Sequence, residues 1–245
     1  MPALLCVVAH PDDETILCGG TLVKLASRGV ALHFVSLTRG EGGEVGEPPL
    51  TDREHLGEVR EQEMVCAVQK LGGRSLTFLG YADPVVGPDD QLSAPDVDSV
   101  MLAGQIANSL QQFAPQVVLT HGSDGEYGHP AHQMVHRATL AAVASLGESA
   151  PLLYSFAATY PDHPYPRLTN LHDPADVVVD VSEFLEQKIA AALCHATQNA
   201  LFVRRRSQEA GRQLSLREVM LTTEAFHRHW SSGKLDDDPF LRWLE

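Results

Sequence analysis

The 245-residue sequence is short of basic residues: 18 lysines and arginines stand against 32 acids, for a net charge of −14. A polyanion gains little by counterion release on such a surface, which excludes nucleic acid as a partner. No segment stays apolar long enough to span a bilayer, and no basic stretch leads into an apolar run at the N-terminus. A soluble, cytoplasmic protein with no membrane partner is expected. The cysteines Cys6, Cys18, Cys66 and Cys194 form no CxxC pair and lie in apolar segments, so they are expected to be buried, reduced thiols of an intracellular protein. There is no internal repeat. There is also no GxGxxG after the first apolar run. Its place is taken by Pro11-Asp12-Asp13-Glu14, whose acids would repel a pyrophosphate, so a nucleotide-binding module is disfavoured.

Apolar residues make up 44% of the chain, enough for a sizeable core. The length suits one domain over residues 1–245, with a proline-rich loop near 157–176 and a less patterned C-terminal extension over 203–245. Continuous apolar runs at Ala3–Ala9, Val30–Thr38, Leu76–Leu79 and Val117–Thr120 read as buried strands. Helical spacing fills Thr15–Arg28, Asp52–Leu71, Asp96–Phe113 and His129–Leu146 between and after them. Further on, Val177–Val181 reads as a strand and Ser182 to about Phe202 as one helix, and Asp236-Asp237-Asp238-Pro239 as an acidic turn. The alternation predicts an α/β fold: a Rossmann-like, mostly parallel sheet with helices on both faces and a site at the carboxyl ends of the strands.

Two motifs fall at that edge. After the first strand, His10 and Asp13 stand three residues apart; an imidazole and a carboxylate so placed can share a borderline-hard cation. After the fourth strand, "THGSDGEYGHPAHQMVH" brings His129 and His132 to the start of a helix, with Pro130 suited to its first turn and His136 one turn further along the same face. A single histidine or aspartate at a strand end is explained by a hydrogen bond or a helix cap. Two such clusters at equivalent strand-to-helix junctions point to a shared metal ion, Zn²⁺ or, since the donors admit it, Fe²⁺.

"AHPDDE" together with "HGSDGEYGHPAH" resembles the LmbE-like, or PIG-L, zinc-dependent deacetylases, which remove the N-acetyl group from N-acetylglucosamine-containing substrates, including precursors of mycothiol and bacillithiol. The resemblance extends through "TRGEGGEVG", "REQEMVCAVQKLG" with Arg60, "GYADPVV" with Asp83, and "KIAAALCHATQ" with Lys188 and His195. It implies that His10, Asp13 and His132 hold one zinc, that Asp12 is the general base, and that His129 and Tyr127 stabilise the developing oxyanion. It also implies Arg60 as a contact to the polar aglycone or product carboxylate, with Glu41 and Asp83 among the substrate-binding residues. The function implied is hydrolysis of an N-acetyl group on a small molecule such as a GlcNAc-malate or GlcNAc-inositol conjugate, by attack of zinc-activated water. Members of that family self-associate, so a homo-oligomer accords with the resemblance. A zinc amidohydrolase acting on another N-acylated small molecule, and a metal-binding protein without turnover, are the competing readings. Asp12 speaks against the second, because metal storage needs no further carboxylate there.

One departure stands out. The family pattern HPDH has a carboxylate where this chain has Ala131. Its loss, next to a helix N-terminus, is expected to lower the pKa of His129 and leave it a neutral donor, with Asp124 or Glu126 as replacement carboxylates. The glycine-rich loop Arg39–Pro49, with Glu41, Glu44 and Glu47, is either a lid on the sugar or a solvated loop. Arg204-Arg205-Arg206 reads as a solvated face, His163 and His172 as loop histidines, and Glu14 as a residue favouring the start of a helix.

Overall fold

The computed structural model describes residues 1–88, 91–230 and 238–245. Asp236 and Asp237 of the acidic turn lie outside them. Strands β1 (Ala3–Val8), β2 (Ala31–Thr38), β3 (Ser75–Tyr81), β4 (Val117–Thr120) and β5 (Leu152–Phe156) run parallel. Between them lie helices α1 (Asp13–Ser27), α2 (Leu56–Lys70), α3 (Ser99–Phe113) and α4 (Pro130–Ala144). β6 (Ala158–Thr159) and β7 (Asn170–Pro174) pair by themselves, inside the segment expected to be a long loop. β8 (Val177–Asp180) and β9 (Thr223–Trp230) complete a seven-stranded sheet of order β3-β2-β1-β4-β5-β9-β8, β9 running antiparallel to both neighbours. The C-terminal stretch therefore supplies a strand to the sheet's interior, which its weak patterning did not announce.

β1 is apolar without interruption because both of its faces are covered. Leu4, Cys6 and Val8 pack with Leu22, Leu25, Met64 and Val68 of α1 and α2. Leu5 and Val7 pack with Leu102, Ile106, Val135 and Ala138 of α3 and α4. Leu4 and Leu5 are fully buried, so truncating either to alanine costs about 2–5 kcal/mol.

Two expectations are corrected. The helix expected from Ser182 to Phe202 is broken into α5 (Leu185–Ala192) and α6 (Ala196–Ala210), with His195 outside helical geometry. The break seats His195 against Glu14 and Cys194 against Cys66. Cys66 and Cys194 form a disulfide, not free thiols; 128 residues separate them, and the pairing arises because α5 packs on α2. Cys6 and Cys18 are free and buried. After α6 come α7 (Leu216–Val219) and α8 (Pro239–Leu244), the latter capped by Asp238. Among the described residues no helix is long and apolar enough to cross a membrane.

Candidate active site

β1 lies between β2 and β4, so the chain leaves the carboxyl ends of β1 and β4 side by side, at the point where the strand order reverses. Such a crevice is where open α/β sheets bind ligands. His10, Asp12 and Asp13 follow β1; Glu126, Tyr127, His129 and His132 follow β4. All seven line one cavity of about 390 Å³.

Adjacent acids take opposite directions because of one backbone torsion. Asp12 caps α1 through its carbonyl, which accepts from Thr15 and Ile16, and its φ is +111°, a region a non-glycine residue seldom occupies. Its side chain makes no cap. Arg60 donates to Asp12 Oδ2 at 2.9 Å and to the carbonyls of Pro11 and Gly40. Asp13 turns the other way and accepts the His10 backbone N–H at 2.9 Å. Burial raises the Asp12 carboxyl to about 7, against the opposing pull of Arg60. The Asp13 carboxyl lies well below the usual range: burial opposes its charge, but His132 and His121 outweigh burial.

His10, Asp13 and His132 converge. His10 Nδ1 is 3.3 Å from His132 Nε2, and the two carboxylate oxygens of Asp13 reach one nitrogen each, Oδ2 lying 3.4 Å from His10 Nδ1 and Oδ1 3.4 Å from His132 Nε2. A tetrahedral ion with bonds of about 2.0–2.1 Å spaces its ligands about 3.3–3.4 Å apart, so this donor set fits such an ion. Each histidine has a carboxylate on its far side. Asp83 Oδ1 is 3.3 Å from His10 Nε2, and Glu126 Oε2 is 2.5 Å from His132 Nδ1. Carboxylates behind metal-binding imidazoles orient the ring and fix its tautomer. Burial opposes a charge on His10, but Asp13 and Asp83 outweigh it and push the imidazole up to about 10, so the cluster without a cation retains a proton there. A cation in the triangle would replace that proton.

His129 stacks on His132, ring centres 4.5 Å apart. Its Nδ1 accepts the Ala131 N–H at 3.2 Å, which caps α4, leaving Nε2 as the protonated, donating nitrogen. Burial first, then the charges of His132 and His10, lower it to about 3. Neither acid suggested as its carboxylate reaches it: Asp124 pairs with exposed His172, and Glu126 with His132 and His121. Tyr127 stands at the cavity mouth, 42% exposed, its ring centre 5.6 Å from that of His132.

Of the three residues expected against substrate, Arg60 and Asp83 line the cavity and Glu41 does not. Arg60 is 3% exposed and directed at Asp12. Asp83 backs His10 and accepts the Gly42 N–H. Glu41 receives Arg39 and the Asp83 N–H, bridging two loops outside the cavity lining. The Arg39–Pro49 loop is tied down: Arg204 binds Glu44 and Glu47, and Gln198 donates to the Glu44 carbonyl at 2.7 Å. Gly42 lies so close to Pro84 that a Cβ would meet its carbonyl oxygen at 2.1 Å.

Sequence reasoning gave no such part to Glu14, His195 or His121. Glu14 is fully buried; its Oε2 accepts the Asp12 N–H at 3.0 Å and its Oε1 accepts from His195 Nε2 at 2.8 Å. His121 stands within the quoted motif, but both its nitrogens are engaged, Nε2 accepting the Ala9 N–H and Nδ1 donating to Glu126. His136 is turned away from the triangle and donates to the His121 carbonyl. A second histidine–aspartate group, Asp173, His227 and His229, lies across β7 and β9. There Asp173 accepts from the Ser123 N–H and hydroxyl at 2.8 and 2.7 Å and from Ser155 at 3.3 Å. His227 Nδ1 donates to the Pro174 carbonyl at 2.6 Å, and His229 Nε2 meets the Ser155 hydroxyl at 2.8 Å.

Residues 5–143 match the family model described as PIG-L, GlcNAc-PI de-N-acetylase. A 1D-myo-inositol 2-acetamido-2-deoxy-alpha-D-glucopyranoside deacetylase of Mycobacterium sp. (strain KMS) is 35% identical, covering 81% of this chain and 74% of its own. The protein of that name from Thermobifida fusca is 34% identical, covering 81% and 84%. Among solved structures, the conserved protein TT1542 of Thermus thermophilus superposes with a TM-score of 0.61 at 27% identity, covering 93% of this chain and 94% of that one. GalB, a 4-carboxy-2-hydroxymuconate hydratase of Pseudomonas putida KT2440, gives 0.63 at 22% identity, covering 94% and 97%, and so shares the fold alone.

Proposed function

The chain belongs to the PIG-L family, and from that premise we infer that it is a metal-dependent N-deacetylase acting on a small N-acetylglucosamine glycoside of the inositol type. The relatives' named activity supports the substrate class. The observation that carries the reaction is Asp12, held by Arg60 beside the His10–Asp13–His132 triangle yet not part of it. A binding protein needs the triangle; only a catalyst needs a further carboxylate adjusted to about 7.

His10, Asp13 and His132 would hold the ion, Zn²⁺ by donor type, with Fe²⁺ satisfied by the same donors. The bound ion supplies Lewis acidity, lowering the pKa of water and polarising the amide carbonyl. Asp12 takes the proton of the attacking water as its oxygen bonds to the acetamide carbon. The His129 Nε2–H donates to the carbonyl oxygen as that atom gains charge, and Tyr127 closes the site from the mouth. Asp12 then delivers its proton to the nitrogen as the C–N bond breaks, giving acetate and a free amino sugar. Glu14 holds the Asp12 backbone and Arg60 its carboxylate, so the base cannot swing in as a fourth ligand. The test is acetate release from N-acetylglucosaminyl inositol by the zinc-loaded protein. Turnover abolished by chelator and restored by zinc is expected; metal-loaded protein that releases no acetate overturns the reading.

A further inference from the structure

Asp12 is held from two directions, and both lead back to α2. Its carboxylate accepts from Arg60, which stands on that helix. Its backbone N–H is accepted by Glu14 Oε2 at 3.0 Å, and Glu14 Oε1 accepts in turn from the Thr15 hydroxyl at 2.6 Å and from His195 Nε2 at 2.8 Å. Thr15 belongs to the same turn of α1 as Glu14 and moves with it. His195 comes from outside that helix, at the break between α5 and α6. The chain on either side of it is moored to α2. Cys194 is joined to Cys66 by the disulfide, and the Thr197 N–H and hydroxyl donate to Glu63 at 2.8 and 2.7 Å. One helix thus sets both the side chain and the backbone of Asp12.

Asp12 needs such a hold. A residue other than glycine at φ +111° is strained, and it persists there only when its surroundings over-determine it. The Glu14–His195 pair is placed for that task rather than for general cohesion. Both side chains are fully buried, and a buried pair of this kind adds little stability over apolar side chains of the same volume. The polar contacts of the ring all run through Nε2, to Glu14 and Thr15; His195 Nδ1 has no hydrogen-bond partner among the described residues. His195 does not line the cavity, so it acts on the site only through its neighbours.

We infer that His195 is a positioning residue for the general base: acting through Glu14, it keeps the Asp12 peptide at positive φ and the carboxylate beside the His10–Asp13–His132 triangle. This rests on the deacetylase reading above and adds to it a residue that stands clear of substrate and metal.

The test uses the zinc-loaded protein, N-acetylglucosaminyl inositol and four variants. In His195→Gln an amide nitrogen can reach the place of Nε2; in His195→Asn the same donor stops one methylene short; His195→Leu has no donor. His195→Leu and His195→Asn are each expected to lose about 10–100-fold in kcat, the effect of a slightly misplaced catalytic group. KM is expected to stay within about two-fold, because the loss falls on the transition state, and zinc to stay at one per chain. His195→Gln is expected to recover kcat to within about three-fold of the unaltered protein. Thr197→Val loosens the same junction without touching Glu14, so it is expected to lower Tm and leave kcat within about two-fold. The role is overturned if His195→Gln is as slow as His195→Asn, if Thr197→Val loses kcat to the same extent, or if the loss lies in KM or in missing zinc. Each of these leaves N-deacetylation standing. Should His195→Leu fail to fold, the difference between the Gln and Asn variants decides. Absence of acetate from the unaltered protein overturns the deacetylase reading and this role with it.

Discussion

Among the described residues, histidines and aspartates that could hold a metal ion gather at two places, one around His132, with His10 and Asp13, and one around Asp173. They differ in what their lone pairs face. Around Asp13, His10 Nδ1 and His132 Nε2 point at one another, and the opposite edges of both rings are backed by Asp83 and Glu126. Around Asp173, the carboxylate is filled by donors from Ser123 and Ser155, and His227 and His229 spend a nitrogen each on Pro174 and Ser155. The first arrangement is a donor set that could hold a cation; the second is a hydrogen-bonded seam holding β7 and β9 to the loop after β4. Residue identity does not separate a ligand from a structural polar group. The direction of the free lone pairs does.

The sharpest way to break this contrast is to remove one ligand from each group. His132→Ala is expected to abolish both bound metal and turnover, whereas His229→Ala leaves one ion per chain; elemental analysis of purified protein decides, and loss of the ion in the second variant would invert the comparison. Next in size is Asp12→Asn, which is expected to retain the ion and lose about a hundred- to ten-thousand-fold in kcat; near-normal kcat in single-substrate kinetics would remove Asp12 from the mechanism. Glu126→Gln keeps the shape behind His132 but not the charge, and metal affinity measured by competition with a chelating dye is expected to fall about 10–100-fold. The smallest effect belongs to the seam. Asp173→Asn is expected to cost about 1–3 kcal/mol of stability with kcat unaltered. Burial opposes the charge on Asp173, but His229 and Ser123 outweigh it and hold the carboxyl well below the usual range. A carboxyl depressed in the fold contributes stability that is present above its unfolded value of about 3.9 and lost as pH falls toward the folded value. The gap between the two denaturation curves should therefore be widest above about pH 5 and narrow in acid.

The parallel half of the sheet was legible because its strands are covered on both faces and read as unbroken apolar runs, as in Ala3–Val8 and Val117–Thr120. β9 was not. One of its residues, Glu224, reaches the buried Lys188, and two more, His227 and His229, join the seam, so neither an apolar run nor an alternating pattern survives. The helix break before α6 was likewise hidden, since the reason for it is a contact of His195 with Glu14, 181 residues away. At the site, spacing pointed to His10, Asp13 and the histidines after β4, since strand ends are fixed by hydrophobic pattern. What each carboxylate does was not legible. Asp83, Glu126 and Glu14 are all acids beside motifs, and only the fold decides which of them backs a ring and which holds a backbone amide.

The His129 cap has a consequence for evolution as well as for chemistry. In an ordinary site a carboxylate sets the tautomer of a neighbouring imidazole, and one substitution can alter it. Here the first free amide of α4 sets it, through Ala131 N–H and Nδ1. Secondary structure itself has taken over the task that a side chain performs elsewhere. Substitutions around the ring can then vary without changing which nitrogen bears the proton, and the protonated Nε2 persists for as long as the helix begins where it does.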